Sequence, residues 1–346
     1  MCNLCNTVKV GTEFTFRRDE FVFGLEALAW NKQKSGKKVN VKPTEIEQIE
    51  SAGAEIINWV NYIAEMGNAG KIRGKNTLLE HVAVGPGRKH HKSDRYEAKE
   101  VMLTLIYKDK KQFFKQTWTI NFDLDPNCIE LQTQPVTFEF YDRYRDIINA
   151  LFFRRESCPP DPRWQVGGGG HISLDLETAF HHNLRWFMNF LVLYADAVRG
   201  DDCRYEALRS SEDVGNAPFL HEIGELAAFS RVINTFEKMP GATIEELAHV
   251  INTDVYTMVD EHIDGSGVRR EDYPHYQAVN LEHINTGASD HRTPVNEQRV
   301  EMRRFDAQRN VDELLGELRC LYELLEESRS GNNYSMDDDG ALIQIP

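Results

Sequence analysis

A mixed α+β fold with antiparallel strands is the class that three features of the chain predict. Strand-like stretches at 96–107 and 112–123 are separated only by Lys108-Asp109-Lys110-Lys111, and the next, 128–134, follows an equally tight return. Returns that short leave no room for the crossover helix a parallel pair requires. The glycine run at 167–170 lacks the G-x-G-x-x-G spacing and precedes a strand, which disfavours a Rossmann fold.

The elements follow in order. Residues 8–16 (VKVGTEFTF) alternate polar and apolar side chains, the period of a strand. Pro43-Thr44 opens a helix with Thr44 as N-cap and Glu47 three residues on, and Ile46, Ile49, Ile56, Ile57, Val60 and Ile63 keep helical spacing up to Gly67. A glycine-rich basic segment, 71–95, comes next. It carries Lys71, Arg73, Lys75, Arg88, Lys89, Lys92 and Arg95 with His90 and His91, against Glu80 and Asp94. It reads as a solvated loop, or as a lid over an anionic ligand such as nucleotide phosphates or an acidic acceptor peptide.

Pro135 ends the third of the strands above, and Thr137 is expected to cap a helix over 138–154. The turn at 159–162 leads through the glycines into a strand, His171-Ile172-Ser173-Leu174-Asp175, and a strongly apolar helix over 177–199. Residues 200–270 read as a helical insertion with an amphipathic helix after a Thr243 cap. Strands over 276–283 and 299–305 and a helix over 311–327 complete a single domain spanning 8–327. Residues 328–346, rich in Gly, Asn and Asp, are expected to be a disordered tail, although the apolar end at 341–346 could dock. Trp30, Trp59 and Trp186 read as core aromatics.

Composition narrows the function classes. The 346-residue chain carries a net charge of −15, which argues against a general nucleic-acid binder needing many phosphate-neutralising cations. No apolar run approaches the roughly 18 residues that span a bilayer, so no membrane partner is expected. The first residues lack the layout of a signal peptide, and a cytoplasmic protein is the expectation. Six scattered cysteines do not form a disulfide scaffold, and Cys2-x-x-Cys5 has no second pair at zinc-site spacing.

Chemistry is suggested by acidic residues placed where strands prefer β-branched and aromatic ones. Glu13, Glu130 and Glu301 each sit mid-strand, and His171 follows the glycines. Period-two geometry sets Glu301 and Arg303 on one face of their strand and Val300 and Met302 on the other. Carboxylates, an imidazole and an arginine on one sheet face suit divalent metal and a triphosphate, because hard oxygen ligands favour Mg²⁺ or Mn²⁺ and the guanidinium offsets phosphoryl charge. Gly169 and Gly170 would let backbone approach a ligand. Asn280 is a candidate to orient ligand or metal. Arg209 and Arg231 are candidate carboxylate clamps, with surface ion pairing as their ordinary alternative. His181 and His182 are read as packing or solvent-facing.

Five blocks occur in order: Gly11-Thr12-Glu13-Phe14-Thr15-Phe16, Glu130-Leu131-Gln132-Thr133-Gln134-Pro135, Gly169-Gly170-His171-Ile172-Ser173-Leu174, Tyr276-Gln277-Ala278-Val279-Asn280-Leu281 and Val300-Glu301-Met302-Arg303. Together they resemble the amidoligase family, related to glutamine synthetase and glutamate–cysteine ligase. The resemblance is scattered over roughly residues 8–310. It implies a glutamine-synthetase-like fold, a curved antiparallel sheet with helices on its outer face. It also implies an ATP-dependent carboxylate–amine ligase that forms an amide or isopeptide bond through an acyl phosphate, acting on small-molecule or peptide substrates.

In that reading Glu13, Glu130, His171 and Glu301 ligate Mg²⁺ or Mn²⁺, Arg303 meets the γ-phosphate, and Asn280, Gly169 and Gly170 adjoin the nucleotide. Relatives often assemble, so an oligomer is an expectation. The chain departs from the family pattern at Thr15 and Ser173, where the family has Glu and His. Asp175, Asp123 or Asp125 are the candidates to compensate. The competing expectations are phosphoryl transfer to a nitrogen nucleophile, as in guanidino kinases, and a nucleotide-binding protein without turnover.

Overall fold

The protein is described by a computed structural model covering residues 3–23, 25–28, 41–89, 93–153, 163–167, 169–209, 217, 219–222, 224–256, 277–284, 297–337 and 339–345. Trp30, His90, His91, Lys92, the turn at 159–162 and Tyr276 lie outside the described residues.

The architecture is α+β, built on one large antiparallel sheet. Its long strands are β1 (Lys9–Arg17), β2 (Thr77–Pro86), β3 (Lys99–Asp109), β4 (Gln112–Asp125) and β5 (Cys128–Thr133). Short β6 (Val136–Thr137) and β7 (Gln165–Val166) pair with β1, and β8 (Gly169–Asp175), β9 (Val279–Asn280) and β10 (Arg299–Asp306) complete the sheet. The order across it is β2-β3-β4-β5-β1-β8-β10-β9, with every pairing antiparallel. The local patterns explain the strands: in β1, Val10, Phe14 and Phe16 are buried on one face, leaving Glu13 on the other.

Helices cover the apolar face. They are α1 (Leu25–Leu28), α2 (Pro43–Asn68), α3 (Phe138–Arg143), α4 (Arg145–Ile148), α5 (Leu176–Phe180), α6 (Leu184–Arg199), α7 (Leu226–Phe236), α8 (Ile244–Val250) and α9 (Val311–Ser328). Buried Trp59 of α2 meets Phe16 and Phe122 edge-on at 4.9 and 5.4 Å. Tyr322 of α9 donates its hydroxyl proton to the Val8 carbonyl at 2.7 Å, tying the last helix to the first strand. Trp186 is only half-buried and lies under the Arg329 guanidinium. Among the described residues no helix is long and apolar enough to cross a membrane, and Cys5, Cys128, Cys203 and Cys320 are free.

Several local expectations are corrected. The basic segment is not one loop, because β2 runs through its middle as the edge strand. A register shift between Leu79 and His81 breaks the alternation that would have marked it. Its cations therefore fall in two groups, Lys71, Arg73 and Lys75 before the strand and Arg88, Lys89 and Arg95 after it. Helix α2 starts at Pro43 with Lys42, not Thr44, at the cap position. Proline suits the first helical turn, and Glu45 accepts the Lys42 backbone N–H at 2.9 Å.

The expected helix over 138–154 is broken into α3, α4 and a π-turn, Asn149–Phe153. The one over 177–199 is interrupted by His181 and His182, both left-handed at φ 48° and 56°. Asn183 then recaps α6, accepting from the Trp186 N–H at 3.1 Å. The Thr243 cap stands, with Glu246 reciprocating.

The tail from 328 is ordered, contrary to expectation. It forms a hairpin, β11 (Asn333–Met336) with β12 (Leu342–Ile345). Buried Asn189 of α6 donates to the Ser328 and Asn332 carbonyls at 3.0 and 2.8 Å and accepts from the Tyr334 N–H at 3.0 Å. Burial of Tyr334 and Met336 outweighs the flexibility that Gly and Asp confer on the flanks.

Candidate carboxylate–histidine site

Strand register gathers the site on the polar face of the sheet. Glu13 stands opposite His171 on one side and Gln132 on the other, while Glu301 stands opposite Ser173 and Asn280. Glu130 lies two residues along β5 from Gln132, on the same face. The four predicted ligands come from β1, β5, β8 and β10 and meet near the centre of the sheet. The Glu13 Oε2 atom lies 2.6 Å from His171 Nδ1, which in turn lies 3.2 Å from Glu301 Oε1. One ligand atom each of Glu13, Glu130 and His171 falls within 4.8 Å of the others.

Glu301 is the most tightly held of the four. Its Oε2 accepts from Asn280 Nδ2 at 3.0 Å and sits 3.2 Å from His283 Nε2, and its Oε1 receives Arg303 at 3.4 Å. Glu130 accepts from Gln132 Nε2 at 3.2 Å.

The electrostatics divide these carboxylates. Burial alone would raise all three. For Glu301 the Arg303 charge and the hydrogen bonds of His171 and His283 outweigh burial and hold the carboxyl well below its usual range. His171 does the same for Glu13. Burial and then the negative charge of Glu13 push Glu130 well above the usual range, so it keeps its proton. Burial and the Arg303 charge both act against an imidazolium at His171, yet Glu13 and Glu301 raise it to about 9. The group as found is a proton-bridged set, two anions sharing one cation beside a neutral acid.

Other predicted residues have structural work. Gly170 is required by packing: a Cβ there would lie 2.3 Å from Gln308 Nε2 and 2.6 Å from the Asp306 carbonyl, so that side of the glycine is filled by protein. The Gly169 carbonyl lies 3.0 Å from the Thr15 hydroxyl, which also reaches the Gly167 carbonyl at 2.9 Å. Thr15 thus steadies the glycine segment instead of supplying a ligand. Asp175 caps α5, accepting the Thr178 N–H at 2.9 Å, and Asp123, opposite Glu130 in the sheet, accepts from the Tyr96 hydroxyl at 2.7 Å. Arg209 donates to the Ala197, Gly200 and Asp202 carbonyls at the end of α6 and is no clamp. Arg231 is exposed on α7.

The sequence reading missed His283, Gln132 and Arg299. Gln132 follows from the same period-two rule that singled out Glu130. His283 does not, since the chain leaves β9 at Leu281 and turns before the imidazole swings back to Glu301. Arg299 NH2, one strand residue pair before Glu301, lies 3.1 Å from His283 Nε2. Compared with family models, curated proteins and solved structures, the chain has no match in any of the three.

Proposed function

We propose that the polar face holds a divalent cation, Mg²⁺ or Mn²⁺, and that the protein uses it with ATP to join a carboxylate to an amine. The observation that carries the reading is the convergence of Glu13, Glu130 and His171 beside Glu301. The donor set fits such an ion. Two carboxylates and an imidazole offer atoms within 4.8 Å of one another. Burial and then the negative charge of Glu13 hold the carboxyl of one of them, Glu130, well above its usual range. A dication at that point allows both to ionise, and its binding displaces protons from Glu130 and His171.

Glu13, Glu130 and His171 would hold the ion, with Glu301 alongside. When bound, the ion offsets negative charge between phosphates and the acidic face. Arg303 provides a fixed positive charge for the terminal phosphoryl group, while Asn280 and His283 keep Glu301 from rotating. In ligation the carboxylate oxygen attacks the γ-phosphorus and ADP leaves. The amine then attacks the acyl carbon, sheds a proton and displaces phosphate. The large antiparallel sheet, with helices on one face and carboxylates on the other, supports a glutamine-synthetase-like architecture. The order of the five sequence blocks supports the amidoligase likeness.

A second reading, nucleotide binding without turnover, is favoured by Thr15, whose hydroxyl is engaged by the Gly167 and Gly169 carbonyls. One experiment separates the two. Mn²⁺ binding is followed by electron paramagnetic resonance, and ADP release is followed with ATP and pooled carboxylates and amines. Ligation requires saturable Mn²⁺ binding, weakened at least about tenfold by Glu13→Gln, and ADP, phosphate and a condensed product that all disappear in Arg303→Ala. Binding without ADP release under any acceptor supports the second reading. A phosphorylated acceptor indicates a kinase. Mn²⁺ affinity unchanged in Glu13→Gln ends the metal proposal.

A further inference from the structure

At the β3–β4 turn the sheet runs past its helical cover. Every residue from Lys108 to Thr117 is exposed, and the two strands end on a last pair, Asp109 with Gln112. Phe113 and Phe114 sit on this tip with 67% and 42% of their surface open. Phe113 lies ten residues along β4 from Asp123, the strand partner of Glu130. At the rise of a strand that is about 33 Å, so the tip is separate from the ionic cluster.

Charge at this end has the opposite sign to the molecule as a whole, whose net charge is −15. Lys108, Lys110 and Lys111 surround the turn, against Asp109. The Lys108 N–H donates to the Asn76 carbonyl at 2.9 Å, and Leu78, the strand partner of Ile106, bridges to Arg73. These contacts bring the segment carrying Lys71, Arg73 and Lys75 beside the tip. All six side chains are exposed and form no ion pair among the described residues, whereas Lys115 is held by Glu80 at 2.6 Å. Lys110 is left-handed at φ 53°, in a two-residue turn where such backbone ordinarily takes asparagine or glycine. Lysines alone commonly guard exposed strands against aggregation. That role does not account for two phenylalanines held outside the core.

The placement of the two rings distinguishes between partners. Consecutive strand residues point to opposite faces, so Phe113 and Phe114 leave the ribbon in opposite directions. A peptide or a second chain laid on one face covers one ring and leaves the other in water. A medium that surrounds the tip covers both. We propose that the β3–β4 tip enters the headgroup region of an anionic lipid surface, with Phe113 and Phe114 buried on either side of the ribbon and the six cations meeting lipid anions. Binding of this kind lies at the interface and needs no membrane-spanning segment. The cations act within a Debye length of about 8 Å, beyond which the acids elsewhere on the protein are screened.

The test uses the full chain and sedimentation with vesicles of phosphatidylcholine, either alone or mixed with phosphatidylserine. Binding should be confined to the phosphatidylserine vesicles and weaken as salt is raised. Phe113→Ser with Phe114→Ser should weaken it at least about tenfold, and so should Lys110→Glu with Lys111→Glu. All four positions are exposed, so neither double variant disturbs the core, and Mn²⁺ binding should be unchanged in both. Failure of the wild type to bind phosphatidylserine vesicles overturns the proposal, as does binding that survives in either variant. Soluble polyglutamate is the control for a polyanion that is not a membrane. Polyglutamate binding that is lost in the lysine variant, together with vesicle binding unchanged in the phenylalanine variant, would assign the tip to soluble acidic polypeptides and rule out insertion.

Discussion

Glu301 on β10 and Glu317 on α9 are both buried, yet the protein holds them in opposite charge states. Glu301 is surrounded by Arg303, His171, His283 and Asn280 and stays ionised. Glu317 receives one neutral hydrogen bond, from Gln308 Nε2 at 2.8 Å, and burial pushes its carboxyl up to about 8, helped by the charges of Glu313 and Asp306. Burial costs a carboxylate its charge unless cations or several donors repay it. The cations on the polar face therefore mark where the chain invests in keeping negative charge, and α9 shows what happens without them. The two regions also touch: Gln308, the partner of Glu317, packs against Gly170, next to His171.

The largest expected effect breaks the charged side of this comparison. His171→Ala removes the cation shared by Glu13 and Glu301 and should cost about 3 kcal/mol of unfolding free energy at pH 6 without divalent metal, measured in urea. His171 is raised from 6.5 to about 9 in the folded state. Its contribution is therefore complete below pH 6.5 and lost as pH rises through 9, so wild-type and variant stabilities should draw together above that value. A gap that widens with pH would refute the proton-bridged arrangement.

A smaller effect is expected on the neutral side. Glu317 is also raised in the folded state, so its favourable contribution is present below about 4.5 and lost as pH rises towards 8. Glu317→Gln cannot lose a proton. It should match the wild type near pH 4 and be about 2 kcal/mol more stable at pH 9 in the same urea titrations. A variant less stable than wild type at pH 9 would show that Glu317 is ionised and paired after all.

The smallest stability change is expected at Glu130, which joins the two halves of the comparison. Its carboxyl keeps a proton through burial and the charge of Glu13. Glu130→Gln should change metal-free stability at pH 6 by less than about 1 kcal/mol, while lowering Mn²⁺ affinity at least about tenfold. A large loss of stability with unchanged Mn²⁺ binding would assign Glu130 to the fold and not to the ion.

Much of this was legible locally. Alternation marked β1, short returns marked β3, β4 and β5, the shared face of Glu301 and Arg303 marked β10, and Thr243 marked the start of α8. Unusual side chains on strands picked out Glu13, Glu130, His171 and Glu301. Local pattern failed where a long-range contact overrode it. β2 was hidden by its register shift, the break at His181 and His182 by caps on either side of it, and the β11–β12 hairpin by its dependence on Asn189 of α6. Asp175 and Arg209 looked available for chemistry because their backbone partners are visible only after folding.

By itself the sequence determined which residues carry charge on strands, in what order they come and which strand face each occupies, because a period of two follows from backbone geometry alone. Only the tertiary structure decided that Glu13 faces His171, 158 residues away, and that Asn280, Arg303, His171 and His283 gather around Glu301 while the Gln132 amide reaches Glu130. Register between distant strands is chosen by the packing of the whole apolar face, and the charge a buried carboxyl carries depends on which neighbours that register delivers.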